Sequence, residues 1–225
     1  MKTNQEFKNS ALAALKGNWA PAVVCTIIVF VAAILYTIPS LCMSSLTSDP
    51  ENMSMSDAFL TLALLPLMYF LMIFIYLPLS YVGNANAMKQ LVADGDNNLV
   101  ANLFKNTFNG YWKNVGTSLL MCIFIFLWSL LFLIPGIIKA FSYALAPYIL
   151  KDYPELSANQ AINLSMKMMK GHKFDLFWLY LSFIGWGILC MFTLGIGYLW
   201  LMPYMTTTVA AFYQNVKTEY INNNN

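Results

Sequence analysis

Arginine is absent from the 225-residue chain, histidine occurs once, and charged residues of both signs make up only 10% of it. A soluble domain of ordinary composition carries about 25% charged residues. With so few charges a soluble fold of this size could not solvate its surface, so the first exclusion is a soluble protein. The net charge of +2 is too small for a nucleic-acid footprint, which needs a concentrated basic face. The 12 basic residues are all lysines, which argues against bidentate phosphate recognition, where arginine is favoured. Cys25, Cys42, Cys122 and Cys190 lie in apolar runs without CxxC spacing, so they read as small buried hydrophobes rather than metal ligands or disulfides. With His172 alone, neither a metal site nor a Ser/His or Cys/His dyad has its partners. No HExxH and no glycine-rich phosphate loop occurs. No catalytic, cofactor-binding or metal-ligating residue is therefore expected, and the enzyme reading lacks residues to carry it.

What is present is apolar surface: 59% hydrophobic residues and 16% aromatics. Residues 17–48, 58–88 and 176–216 contain no Asp, Glu, Lys or Arg, and 114–150 contains only Lys139. A crossing of the bilayer needs about 20 apolar residues. The first two windows hold one crossing each, at about 21–43 and 58–82. The window 176–216 would make one helix of about 62 Å, twice a bilayer core, so it folds back at Leu194-Gly195-Ile196-Gly197 into crossings at 174–193 and 198–214. In the remaining window Ile134-Pro135-Gly136-Ile137 reads as a turn between 115–134 and a short fourth crossing at 137–150. Lysine placement chooses six crossings over five. With both termini cytoplasmic, 11 of the 12 lysines fall on inner segments, and the first outer loop carries Asp49, Glu51 and Asp57 without a lysine. The expected architecture is an all-α integral membrane protein: six transmembrane helices in three hairpins, one membrane domain over 1–221, and a disordered tail at 222–225. The first crossing is too long for the apolar core of a cleaved signal.

Three inner segments read as amphipathic elbow helices leading into a crossing. Their apolar faces are Phe7, Ala11, Leu12 and Leu15; Leu99, Val100, Leu103, Phe104, Phe108 and Tyr111; and Ile162, Ser165, Met166 and Met169. The third opens on the capping-box pair Ser157 and Gln160 and closes on Gly171. Aligning Gly17, Gly110 and Gly171 suggests three copies of one elbow-plus-hairpin unit; the competing account is that any chain entering a bilayer from inside needs a glycine and an interfacial aromatic. Structural turns are assigned to Pro135, Gly136, Gly171, Gly195 and Gly197.

No carboxylate lies within a crossing, which removes the usual machinery of ion- or proton-coupled transport. Lys139 is the one charge near a crossing's interior; it is expected to snorkel to the outer surface, with lipid- or ligand-phosphate contact as the functional alternative. With Lys167, Lys170, His172 and Lys173 of the third elbow it forms the candidate set for lipid or ligand contact. Seven of the nine prolines fall within or beside crossings, where kinks suit a transport path but are tolerated generally.

The stretches Leu15–Trp19, Ile134–Lys139, Ser142–Tyr148, Ser165–Lys173, Thr193–Gly197 and Pro203-Tyr204 resemble the bacterial integral-membrane family called domain of unknown function 975. More distantly, the layout is similar to the membrane domain of glycerophosphodiester phosphodiesterases. The resemblance implies a helical bundle in the bacterial cytoplasmic membrane, and it brings no activity, cofactor or catalytic residue. The functional expectation is a non-enzymatic, multi-pass protein whose basic elbows engage anionic membrane lipid, a membrane protein partner or a second copy of the chain. The alternative is a transporter or channel for a small or amphiphilic solute.

Overall fold

The computed structural model describes residues 2–48 and 54–224, and the regular structure within them is helical, with no strand. Asp49 and Glu51 of the expected outer loop lie outside the described residues, as does Asn225. Helix α1 (Asn4–Leu15) opens on a capping box in which Thr3 and Glu6 satisfy each other's backbone N–H groups. It leads into α2 (Trp19–Leu46). Helix α3 (Met55–Leu71) is capped in the same way by Ser54 and Asp57. It continues through two π-helical stretches, Met72–Tyr76 and Pro78–Asn84, into α4 (Ala85–Asp94), which ends on left-handed Gly95. Pro78 lacks an N–H and crowds the preceding turn, and widening that turn keeps the helix going. Then follow α5 (Leu99–Phe108), α6 (Tyr111–Leu131), α7 (Leu133–Tyr143), α8 (Ala146–Asp152), α9 (Ala158–Met168), α10 (Lys173–Leu181), α11 (Ile184–Phe192) and α12 (Tyr198–Asn224).

Among the described residues four segments are long and apolar enough to cross a membrane: Trp19–Leu46, Met55–Asp94, Tyr111–Leu130 and Lys173–Phe192. Most of their surface is open, as large exposed residues such as Ile34, Leu41, Phe59, Phe126, Trp186 and Met191 show. A protein with that much apolar surface outward is built for lipid. The 40-residue segment is longer than the crossing expected at 58–82, because its helix carries on past Val82 into α4, where Ala87, Met88 and Leu91 are buried.

The turn assigned to Pro135 and Gly136 lies elsewhere. The chain reverses at Phe132, whose backbone is extended, and both residues stand in the first turn of α7. A proline is tolerated there because the first N–H groups of a helix have no partner in any case. Gly136 serves packing: a Cβ on it would meet the Ser129 hydroxyl at 2.2 Å, so the α6–α7 hairpin closes only with glycine at this point. Helices α7 and α8 together run back along α6, bringing Lys151 Nζ to the Asn109 carbonyl at 2.6 Å. The break between them is mended by α9. Ser165 donates to the Ser142 carbonyl (2.8 Å) and accepts from the Leu145 N–H (3.2 Å), satisfying backbone groups that the interrupted ladder leaves free.

The three aligned glycines share a conformation that favours glycine: φ is +85° at Gly17, +69° at Gly110 and +95° at Gly171. Each separates an elbow helix (α1, α5 or α9) from the apolar helix that follows. The elbows do not lie apart as surface helices. Helices α1, α4 and α9 pack on α12, whose second half, Val209–Tyr213 and Val216, is buried; α5 joins through α4, and α8 through α4 and α9, forming a collar at one end of the molecule.

The elbow faces also differ in detail from the expected ones. Leu12, Phe104 and Phe108 point outward. The inward face of α5 is Leu99, Asn102, Leu103, Asn106 and Thr107, because its asparagines find partners: Asn102 donates to Asp96 and Asn106 to Gln90. At the far end, Thr193–Gly197 turns α11 into α12, with Leu194 and Gly195 at positive φ (+53° and +85°). Gly197 packs against Cys190, its missing Cβ leaving the room. Helix α12 runs past Gln214, so the segment expected to be a disordered tail is helical through Asn224. Once a helix is nucleated, each added residue gains a hydrogen bond for one residue fixed.

Candidate functional site

Helix α9 and the turn after it present a shallow groove of about 480 Å³ lined by Asn163, Met166, Lys167, Lys170 and Lys173. The spacing of three residues between the lysines places all of them at its rim. Among the described residues none of the three is paired with a carboxylate. Exposed Phe174 and Trp178 follow on α10, so the charges border an aromatic surface of the kind found at membrane interfaces. Lys139 stands at the edge of this arrangement. Its ammonium lies over the Trp128 ring, 4.5 Å from the centroid, and 3.9 Å from Met166 Sδ. The cation–π contact holds its ammonium against the last turn of α6. His172 faces away from the groove, with Nδ1 3.4 Å from Asp175 and Nε2 3.5 Å from Glu219 of α12. Of the five residues singled out from sequence, the structure gathers Lys167, Lys170 and Lys173, brings Lys139 close through Met166, and assigns His172 to a tie between α10 and α12.

A second constellation escaped the sequence. Asp152, at the end of α8, accepts from Lys89 of α4 through one carboxylate oxygen and from Tyr213 (2.6 Å) and Lys217 (2.7 Å) of α12 through the other. Its side chain is only 14% exposed and that of Lys89 only 8%. Burial would push the Asp152 carboxyl up, but the hydrogen bonds from Lys217, Lys89 and Tyr213 outweigh it and hold the group below its ordinary value. Next to it, burial first and then the charges of Lys89 and Lys113 push the Lys151 ammonium down to about 8. The cluster joins three elements of the collar, and no carboxylate inside a crossing is needed for it. One signal could have revealed it: Lys151-Asp152 ends an apolar run with its only acid, and a buried acid there needs cations from elsewhere in the chain.

Behind the cluster Tyr213 stacks on Tyr148, ring centroids 4.9 Å apart. Tyr148 in turn lines an open-mouthed cavity of about 530 Å³ between α4, α6, α7, α8, α10, α12 and the π-helical stretch that begins at Pro78. Its walls are mostly aliphatic and aromatic, among them Met121, Ile125, Phe141, Met205 and Val209. All four cysteines are free, two buried, one half-buried and one, Cys42, exposed.

Residues 130–220 match the family model described as Protein of unknown function (DUF975), the stretch that contains α7 to α11, the groove, Asp152 and most of α12. No curated protein and no solved structure matches the chain. The match agrees with the family resemblance drawn from the sequence and assigns no activity.

Proposed function

We propose that this member of the family is a non-enzymatic protein of the bacterial cytoplasmic membrane that crosses it six times, keeps both termini inside, and uses its basic elbows to hold anionic lipid. The observation that carries the reading is the gathering of all three elbows in one collar. A chain that returns to the same end between elbows crosses an even number of times, so α7 with α8 serves as the fourth crossing and α12 as the sixth. Aromatic residues support a common interface, since Trp19, Trp112 and Phe174 each open the helix that follows an elbow. The groove of Lys167, Lys170 and Lys173 then faces the anionic inner leaflet without a competing acid. The transporter reading has the internal cavity in its favour. Against it stand walls that are mostly apolar, with the Ser80 and Thr206 hydroxyl protons spent on backbone carbonyls of their own helices.

The test is native mass spectrometry of protein purified from membranes containing phosphatidylglycerol and phosphatidylethanolamine. The protein is expected to retain phosphatidylglycerol in preference. Changing Lys167, Lys170 and Lys173 together to glutamine removes about 3 kcal/mol of attraction at about 1 kcal/mol per lysine, about a hundredfold in affinity. Equal retention of phosphatidylglycerol by the triple variant would refute the lipid-binding elbow, and a retained protein partner or second copy in its place would redirect it.

A further inference from the structure

We infer that the internal cavity is a binding site for a single hydrocarbon chain of a membrane phospholipid, separate from the headgroup groove. Its floor is closed and apolar: Met121, Tyr148 and Val209 are each less than 8% exposed. Its rim includes Tyr81, Tyr180 and Met202, which are 44%, 38% and 39% exposed. Tyr81 and Tyr180 belong to Met55–Asp94 and Lys173–Phe192, two of the segments apolar and long enough to cross a membrane. The mouth therefore opens sideways among lipid-facing residues, where hydrocarbon is the material at hand.

The wall chemistry selects the same occupant. Ser80 donates to the Tyr76 carbonyl at 2.8 Å and Thr206 to the Met202 carbonyl at 2.9 Å, so both hydroxyl protons are already used. Methionines at Met121, Met202 and Met205 give a soft surface that adapts to a flexible chain. The volume lies within the roughly 300–1,000 Å³ of ordinary ligand sites. The cavity lies where the π-helical stretch meets the α7–α8 break, with the small residues Ala85, Ala144 and Pro147 in its wall. The lysine groove lies on α9, and α9 packs against α6 and α7 through Ile162 and Met166. The two sites lie on either side of this packing and share no lining residue.

The experiment places the full chain in phosphatidylcholine nanodiscs doped with a phosphatidylcholine that carries a diazirine in the middle of one acyl chain. After irradiation, adducts are located by mass spectrometry. Adducts are expected on the floor residues Met121, Tyr148 and Val209 as well as on outward residues such as Ile34 and Trp200. Filling the cavity by Val209→Trp, or from the other wall by Ala140→Phe, is expected to abolish the floor adducts and leave the outward ones. Adducts confined to outward residues in the unaltered protein would overturn the site, whatever the variants do. Floor adducts that persist in a folded Ala140→Phe variant would overturn it too. The glutamine variant of the three elbow lysines keeps its floor adducts, so loss of headgroup binding and loss of chain binding are distinguishable.

Discussion

Asp152→Ala lowers the stability of the protein by about 3–5 kcal/mol, the cost of leaving a buried cation without its partner. In a detergent thermal scan this corresponds to a fall of about 10 °C in the midpoint. The size follows from the arrangement: one carboxylate accepts from Lys89, Tyr213 and Lys217, and Lys89 is buried against it. Removing a lysine costs less. Lys217 is 27% exposed and regains water, and without Lys89 the carboxylate keeps Lys217 and Tyr213. The expected order of damage is Asp152→Ala, then Lys89→Met, then Lys217→Ala. Combining Lys89→Met with Asp152→Ala recovers part of the loss, since no unpaired buried charge remains. An Asp152→Ala midpoint within 2 °C of the parent, itself worth only about 1 kcal/mol at this size, would show that the cluster is not buried as described.

Gly83→Ala is the second large effect. A Cβ at Gly83 would lie 2.0 Å from Thr107 Oγ1 and 2.8 Å from the Leu103 carbonyl oxygen. The hydroxyl can move, but the carbonyl belongs to the backbone of α5, so α5 must shift away from the π-helical stretch. Overpacking of this kind costs about 1–3 kcal/mol, with the upper part expected here because backbone is struck. Thr107→Ala in the same chain relieves the nearer clash and leaves the carbonyl contact, so the pair recovers part of the loss in detergent thermal scans. Thr107→Ala alone loses only the bond to the Leu103 carbonyl, about 1 kcal/mol.

The parts of this architecture written in local sequence were legible. Gly17, Gly110, Gly171 and Gly195 each occupy the left-handed region that glycine is chosen for, and the Ser157–Gln160 pair caps α9 as its spacing implies. Proline misled at Ile134–Ile137, because a proline in the first turn of a helix and a proline in a reverse turn look alike in sequence. Charge misled at Lys89. It closes the second charge-free window, yet the helix runs on to Asp94 and buries the lysine against Asp152. The cluster itself was invisible because its members are 63 and 65 residues apart, and only the collar brings them together. The partners of Lys139 were equally hidden: Trp128 belongs to the preceding helix and Met166 to α9, and their approach is a tertiary fact.

The central claim is an even number of crossings with the collar inside. It is tested most directly by fusing a reporter that is active only outside the cytoplasm at two points, after Gly195 in the hairpin between α11 and α12 and after Asn225. Activity at Gly195 together with silence at Asn225 is the result six crossings require. Activity after Asn225 would mean that α7 with α8 does not cross, and it would contradict both the topology and the placement of the lysine groove on the inner leaflet.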